Sequence, residues 1–152
     1  RVTQFGERAG MQGTRANRIL EGFLIPNLEL PWNDVHELAC KLEHYISDDI
    51  INTINKKIGM PKFCPHGNPV NADDPDPSFR LQDAKKGRLR VYRISDERVE
   101  FLRHLEEIGL KPGVEFEATG STQIDSLLHL EVAGRPWTVG HEVARHVWVV
   151  NA

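Results

Sequence analysis

Between Met60 and Lys86 the chain carries Pro61, Pro65, Pro69, Pro75 and Pro77, with Asp73, Asp74 and Asp76 among them. Proline fixes φ and lacks the N–H that a helix interior or central strand requires, so neither element runs through this stretch. It separates two segments of different period. On the N-terminal side apolar residues recur at helical spacing, and on the C-terminal side they alternate as in strands. A length of 152 residues suits one ordinary domain or two small ones. The expected division is a helical unit over 1–70, a Pro/Asp-rich linker over 71–86 and a small β unit over 87–152.

In the helical unit, Gly6, Gly10 and Gly13 weaken the opening segment. From Thr14 onward, Ile19, Leu20, Phe23 and Leu24 make an amphipathic face expected to stop before Pro26. Pro31 suits a second helix start, where Val35, Leu38, Ala39, Leu42 and Ile46 follow the i, i+3, i+4, i+7 rhythm of a core-facing stripe. Ser47 caps a third helix that directs Ile50, Ile51, Ile54 and Ile58 inward and closes at Gly59. So small a unit is marginal alone. Its apolar surplus, including Leu28 and Trp32, is expected to be covered by a second copy or another domain.

The second helix also carries His36, Cys40, Glu43 and His44. At roughly 100° per residue these fall within about an 80–100° sector beside the apolar stripe. A thiolate, a carboxylate and an imidazole at i, i+3 and i+4 can supply three bonds to one divalent transition metal. His36, one turn back, joins the same ion or helps a second site; the alternative is a charged, half-exposed face with an ordinary buried cysteine. On the first helix Asn17 and Glu21 stand four apart, as surface polar residues or, for Glu21, reaching toward the His36 stripe. Cys64-Pro65-His66-Gly67 places a thiol and an imidazole two apart, which suits a metal knuckle, but no second C-x-x-C or H-x-x-H follows, so the structural turn is the preferred reading.

Beyond the prolines, Arg88–Ile94, Gly113–Ala118, Ser126–Val132 and Arg145–Val150 are strand-like, and a Gly134–Pro136 turn leads into Trp137–Val139. A helix over Asp96–Leu110 turns Phe101, Leu102, Leu105 and Ile108 inward. Short strands at this spacing imply a small closed or half-closed barrel of SH3-like size. The fold class is therefore α + β.

Charged residues at 27% and hydrophobic residues at 39% describe a soluble globular protein, and no apolar run is long enough to span a membrane. A formal net charge of −3 lacks the electrostatic footprint of a phosphate-neutralising surface. Cys40 and Cys64 demand no disulfide, so a reducing cytoplasm is expected. The opening Arg1-Val2-Thr3 carries no signal-peptide pattern and is consistent with a fragment, any DNA-contacting part lying outside it.

The sequences VHELACKLEHYISDD, CPHGNPV and LRHLEEIGLKPG, in this order, resemble the diphtheria-toxin-repressor family of iron-dependent transcriptional regulators. The last is similar to the iron-transport (FeoA-type) module that ends these proteins, and Thr3–Gly6 to the segment after a winged helix-turn-helix. The resemblance implies a three-helix metal-binding and dimerisation domain followed by a small SH3-like β-barrel, without the DNA-reading domain. Cys40, Glu43 and His44 would bind the activating ion, completed by a Met outside this chain. An ancillary site would use Glu21, His36 and, from the barrel, Glu97 and Glu100, with Asn17 where the family has histidine. Fe²⁺ is the expected ion, with Co²⁺, Ni²⁺, Zn²⁺ or Mn²⁺ as alternatives, because thiolate plus imidazole selects softer divalent ions. The partners implied are a second copy and, through the missing domain, operator DNA. The rival readings are a mononuclear metalloenzyme, with two histidines, a cysteine and glutamates activating water, and a metal-free module whose barrel binds a peptide.

Overall fold

The computed structural model describes the backbone of residues 4–152 and the side chains of residues 15–152. Thr3 of the Thr3–Gly6 match lies outside the described residues, as do the side chains of Gln4 and Phe5. The chain forms two compact units, Arg1–Asp74 and Pro75–Ala152.

The first unit has α1 (Gln4–Leu28), α2 (Val35–Glu43) and α3 (Asp48–Lys57). Against expectation, α1 runs through Gly6, Gly10 and Gly13 and does not stop before Pro26. Glycine costs only about 1 kcal/mol in a helix, and Pro26 falls in the last turn. The helix ends two residues later, and Glu29 at φ 53° takes the left-handed conformation. Ser47 caps α3, its hydroxyl accepting the Ile50 N–H at 3.5 Å, and Gly59 at φ 88° follows the helix end. Ile19, Leu20, Leu24, Val35, Ala39 and Ile51 are buried, and Val70 closes the same core from the following loop.

Two residues assigned to this core are outside it: Leu38 is 38% exposed and Ile50 53%. Neighbours on a helix point about 100° apart. With Ala39 and Ile51 facing inward, Leu38 and Ile50 are turned away.

In the second unit the sheet order is β1-β6-β2-β3-β4-β5, from β1 (Phe79–Arg80), β2 (Gly87–Ile94), β3 (Glu115–Thr122), β4 (Leu127–Val132), β5 (Arg135–Val139) and β6 (Val147–Asn151). Every pairing between these strands is antiparallel, and β1 and β5 lie at the two ends of the order. Helix α4 (Val99–Ile108) buries Phe101, Leu102, Leu105 and Ile108, then ends on Gly109 at φ 94°.

The stretch read as a linker contains β1 and a 3₁₀ turn over Leu81–Asp83. Asp76 accepts Arg93 Nε–H at 2.7 Å and the Ser78 N–H at 2.9 Å, which ties its start to β2. Arg145 and His146, read as the start of a strand, belong instead to the short helix α5 (His141–His146). The turn after β4 is Ala133-Gly134, both at positive φ (52° and 78°), so Arg135 and Pro136 lie in β5. A two-residue primed turn matches the twist of the flanking strands, and Pro136 is tolerated because β5 ends the sheet. A shift in pairing between Val91 and Arg93 explains why alternation in β2 lapses before buried Ile94. Leu105 is 0% exposed, so Leu105→Ala should cost this unit about 2–5 kcal/mol, measured by urea denaturation.

Among the described residues no helix is long and apolar enough to cross a membrane.

Candidate metal centre

Of the expected ligands, Glu21, His36 and Cys40 come together where α1 meets α2, and His66 from the loop after α3 joins Glu21. Glu21, in mid-α1, is 0% exposed and its two oxygens face two histidines. Oε1 is 2.9 Å from His36 Nδ1 on α2, and Oε2 is 2.7 Å from His66 Nδ1 in the loop. The other His66 nitrogen, Nε2, is 2.8 Å from the Trp32 carbonyl oxygen. A carbonyl only accepts, so Nε2 carries a hydrogen. The short contact on the other side then requires a proton held between Nδ1 and the carboxylate, a position a divalent ion can take over.

His36 reaches the other way as well, its Nε2 standing 3.5 Å from Cys40 Sγ. Carboxylate, imidazole and thiol thus form one chain, with Nδ1 against Glu21 and Nε2 facing the sulfur. Asn17 is buried against all of them. One orientation of its amide puts Nδ2 2.9 Å from Cys40 Sγ but leaves the oxygen against acceptors. In the reverse orientation the oxygen accepts the Cys40 N–H at 3.0 Å, and the nitrogen donates to Glu21 Oε1 and lies 3.2 Å from His36 Nδ1. The second arrangement gives both the oxygen and the nitrogen of the amide a complementary partner. Asn17 therefore braces Glu21 and Cys40.

At the other end of α2, Cys40, Glu43 and His44 follow one another along one face. The closing His44 retains helical φ and ψ (−72°, −17°) and is exposed, while Cys40 and Glu43 are half-buried. The negative end of a helix favours a cation. Burial pushes the Cys40 thiol above its ordinary range, opposed by His36 and reinforced by the charge of Glu43. Burial likewise raises the Glu43 carboxyl, opposed by His44 and His36 and reinforced by Glu21. Glu43 Oε2 is inaccessible to solvent and has no hydrogen-bond partner. A native protein rarely leaves a carboxylate oxygen in that state, and a cation beside a thiol and an imidazole would satisfy it. The residues fit a divalent transition ion.

A second grouping was missed in the sequence. Glu21, Cys64 and His66 offer ligand atoms within 4.8 Å of one another, all buried. The tight turn is present, with Gly67 N–H donating to Cys64 O at 2.9 Å and Cys64 N–H to Asn68 O at 2.8 Å. That turn aims both side chains at Glu21, so Cys64-Pro65-His66 is both turn and donor set. The missing signal was the third ligand, which lies 45 residues from His66 in sequence. Glu97, before α4, is half-buried, and Glu100, in its first turn, is exposed.

Comparison with known proteins agrees with this architecture. Residues 3–71 match the family described as iron dependent repressor, metal binding and dimerisation domain, and residues 79–151 match the FeoA domain. A solved manganese-dependent transcriptional repressor in complex with manganese is 30% identical, covering 100% of this chain and 75% of that one, with a TM-score of 0.88. The iron-dependent repressor IdeR of Mycobacterium tuberculosis is 33% identical over 69 residues, 45% of this chain and 30% of that protein. The diphtheria toxin repressor of Corynebacterium diphtheriae is 29% identical over 102 residues, 61% of this chain and 45% of that protein. The matches thus span less than half of these curated relatives. The chain belongs to the family of metal-dependent transcriptional repressors, with a metal-binding and dimerisation domain followed by a FeoA domain. The three relatives above are described as repressors rather than enzymes, which counts against the metalloenzyme alternative.

Proposed function

We propose that this chain is the metal-sensing and dimerisation part of an iron-dependent transcriptional repressor acting in the cytoplasm, and that divalent metal promotes operator binding by a winged-helix domain outside the chain. The observation that carries this reading is the solvent-inaccessible, unpartnered Glu43 Oε2 on the helix face shared with Cys40 and His44. Those three residues would hold the activating ion, with a Met outside the chain as a further ligand. When bound, the ion supplies a crosslink between α2 and the part of the protein carrying that last donor. DNA affinity then changes only through the ion's preference for one arrangement of the two.

A second ion is assigned to Glu21, Cys64 and His66. This departs from the set expected by resemblance, because here His36 and Asn17 hold Glu21 and Cys40 in place. Two thiols and several imidazoles favour Fe²⁺ over Mn²⁺, although solved relatives include manganese-dependent repressors. The free state of both cysteines agrees with a reducing compartment.

Homodimerisation is supported by exposed apolar side chains along α2, α3 and the turn between them: Leu38 at 38%, Tyr45 at 87% and Ile50 at 53%. Leu38→Glu combined with Ile50→Glu should convert the dimer to monomer in sedimentation while leaving the helical signal intact. For the function as a whole, the test is operator binding by the longest form of the protein with Fe²⁺ and after exhaustive chelation. Binding only with metal is the expected result; equal binding in both conditions contradicts the proposal.

A further inference from the structure

Trp32 precedes α2 and touches the loop bearing Cys64 and His66. Its indole Nε1–H donates to the Pro65 carbonyl at 2.8 Å. Its own backbone carbonyl accepts His66 Nε2–H at 2.8 Å. Its ring packs on the imidazole, with centroids 5.0 Å apart and planes at 46°. His66 is 0% exposed, and these contacts, with Glu21 on the far side, help to orient its ring.

These contacts select one nitrogen. With Nε2–H committed to a carbonyl, Nδ1 is the atom left to ligate beside Glu21 and Cys64 once an ion displaces the proton it shares with the carboxylate. A carbonyl partner on the remote nitrogen is how a ligating histidine is commonly oriented, and its loss typically lowers metal affinity about 10–100-fold. The carbonyl of Trp32 survives any substitution at that position. What a substitution removes is the indole N–H that holds Pro65, and with it the loop, against that carbonyl.

We propose that Trp32 is the positioning residue of the second ion site, fixing the Cys64–His66 loop so that His66 ligates through Nδ1. The inference rests on the assignment of that ion to Glu21, Cys64 and His66, and the experiment separates the two. Zinc binding to the full chain is measured by competition with a chromophoric chelator for wild type, Cys64→Ser and Trp32→Phe. Phenylalanine preserves an aromatic ring and deletes the N–H. Cys64→Ser should abolish one of two equivalents, and Trp32→Phe should weaken the same equivalent by about tenfold or more while leaving the other within about twofold. Trp32 emission should respond to that equivalent, a response absent in Trp32→Phe.

Two full-strength equivalents in Cys64→Ser would overturn the ion assignment and the inference with it. Loss of one equivalent in Cys64→Ser with undiminished binding in Trp32→Phe would overturn the role of Trp32 alone. Nitrogen-15 NMR of the zinc-loaded wild-type His66 ring decides the matter even if Trp32→Phe fails to fold. Zinc on Nδ1 with hydrogen on Nε2 is expected, and the reverse refutes the proposal.

Discussion

Cys40→Ala is expected to cost the activating site on the order of a hundredfold in metal affinity and to abolish metal-dependent operator binding. Structural zinc sites are worth about 10–16 kcal/mol, which over four ligands is roughly 3 kcal/mol each, or about two powers of ten. The dimer should persist, because Cys40 lies among the proposed ligands and not among the exposed apolar residues Leu38, Tyr45 and Ile50. Isothermal titration with Co²⁺ and operator retardation measure the two losses, and unchanged cobalt affinity would remove Cys40 from the site.

The same residue sets the pH dependence. As proposed ligands, Cys40 and Glu43 would bind the ion only after losing a proton, and both hold their protons more tightly than usual, chiefly because they are buried. At neutral pH the thiol is protonated, so binding releases a proton and affinity should rise by about tenfold per pH unit from pH 6 to 8. As pH falls toward the raised Glu43 value the dependence should steepen. A flat profile in this range would exclude a thiol ligand with an elevated pKa.

The second large effect falls on the metal-free fold. Glu21 is 0% exposed and faces His36 and His66, the latter equally buried. Glu21→Leu strips the acceptor from both rings and leaves a buried polar group without its counterpart, a change that typically costs about 3–5 kcal/mol. Glu21→Gln keeps one acceptor oxygen and should cost less, about 1–3 kcal/mol. Urea denaturation after chelation measures both. A leucine variant as stable as wild type would mean that the histidine contacts contribute nothing to the apo fold. Loss of stability without metal would separate this structural role of Glu21 from its proposed role as a ligand.

Much of this arrangement was legible because it is local. Cys40, Glu43 and His44 are fixed by helical spacing, and Ser47, Gly59 and Gly109 mark helix boundaries through capping that depends on a few neighbouring residues. The inward face of α4 was readable for the same reason. What escaped was non-local. Pairing of Phe79 with Val149 gives order to a stretch whose prolines and aspartates indicate only a break. Cys64 and His66 acquire a shared target only when α1 brings Glu21 beneath them. Leu38 and Ile50 fit a helical stripe in sequence, but the neighbours Ala39 and Ile51 won the inward direction. Asn17 could not reveal from sequence that it braces Cys40 and Glu21.

X-ray absorption at the zinc edge most directly tests whether α2 holds an ion. Cys64→Ser protein loaded with one equivalent of zinc should show one sulfur at about 2.3 Å with nitrogen or oxygen neighbours near 2.0–2.2 Å. That sulfur should vanish when Cys40→Ala is added. A first shell of nitrogen and oxygen alone in the Cys64→Ser protein would contradict the assignment of Cys40, Glu43 and His44.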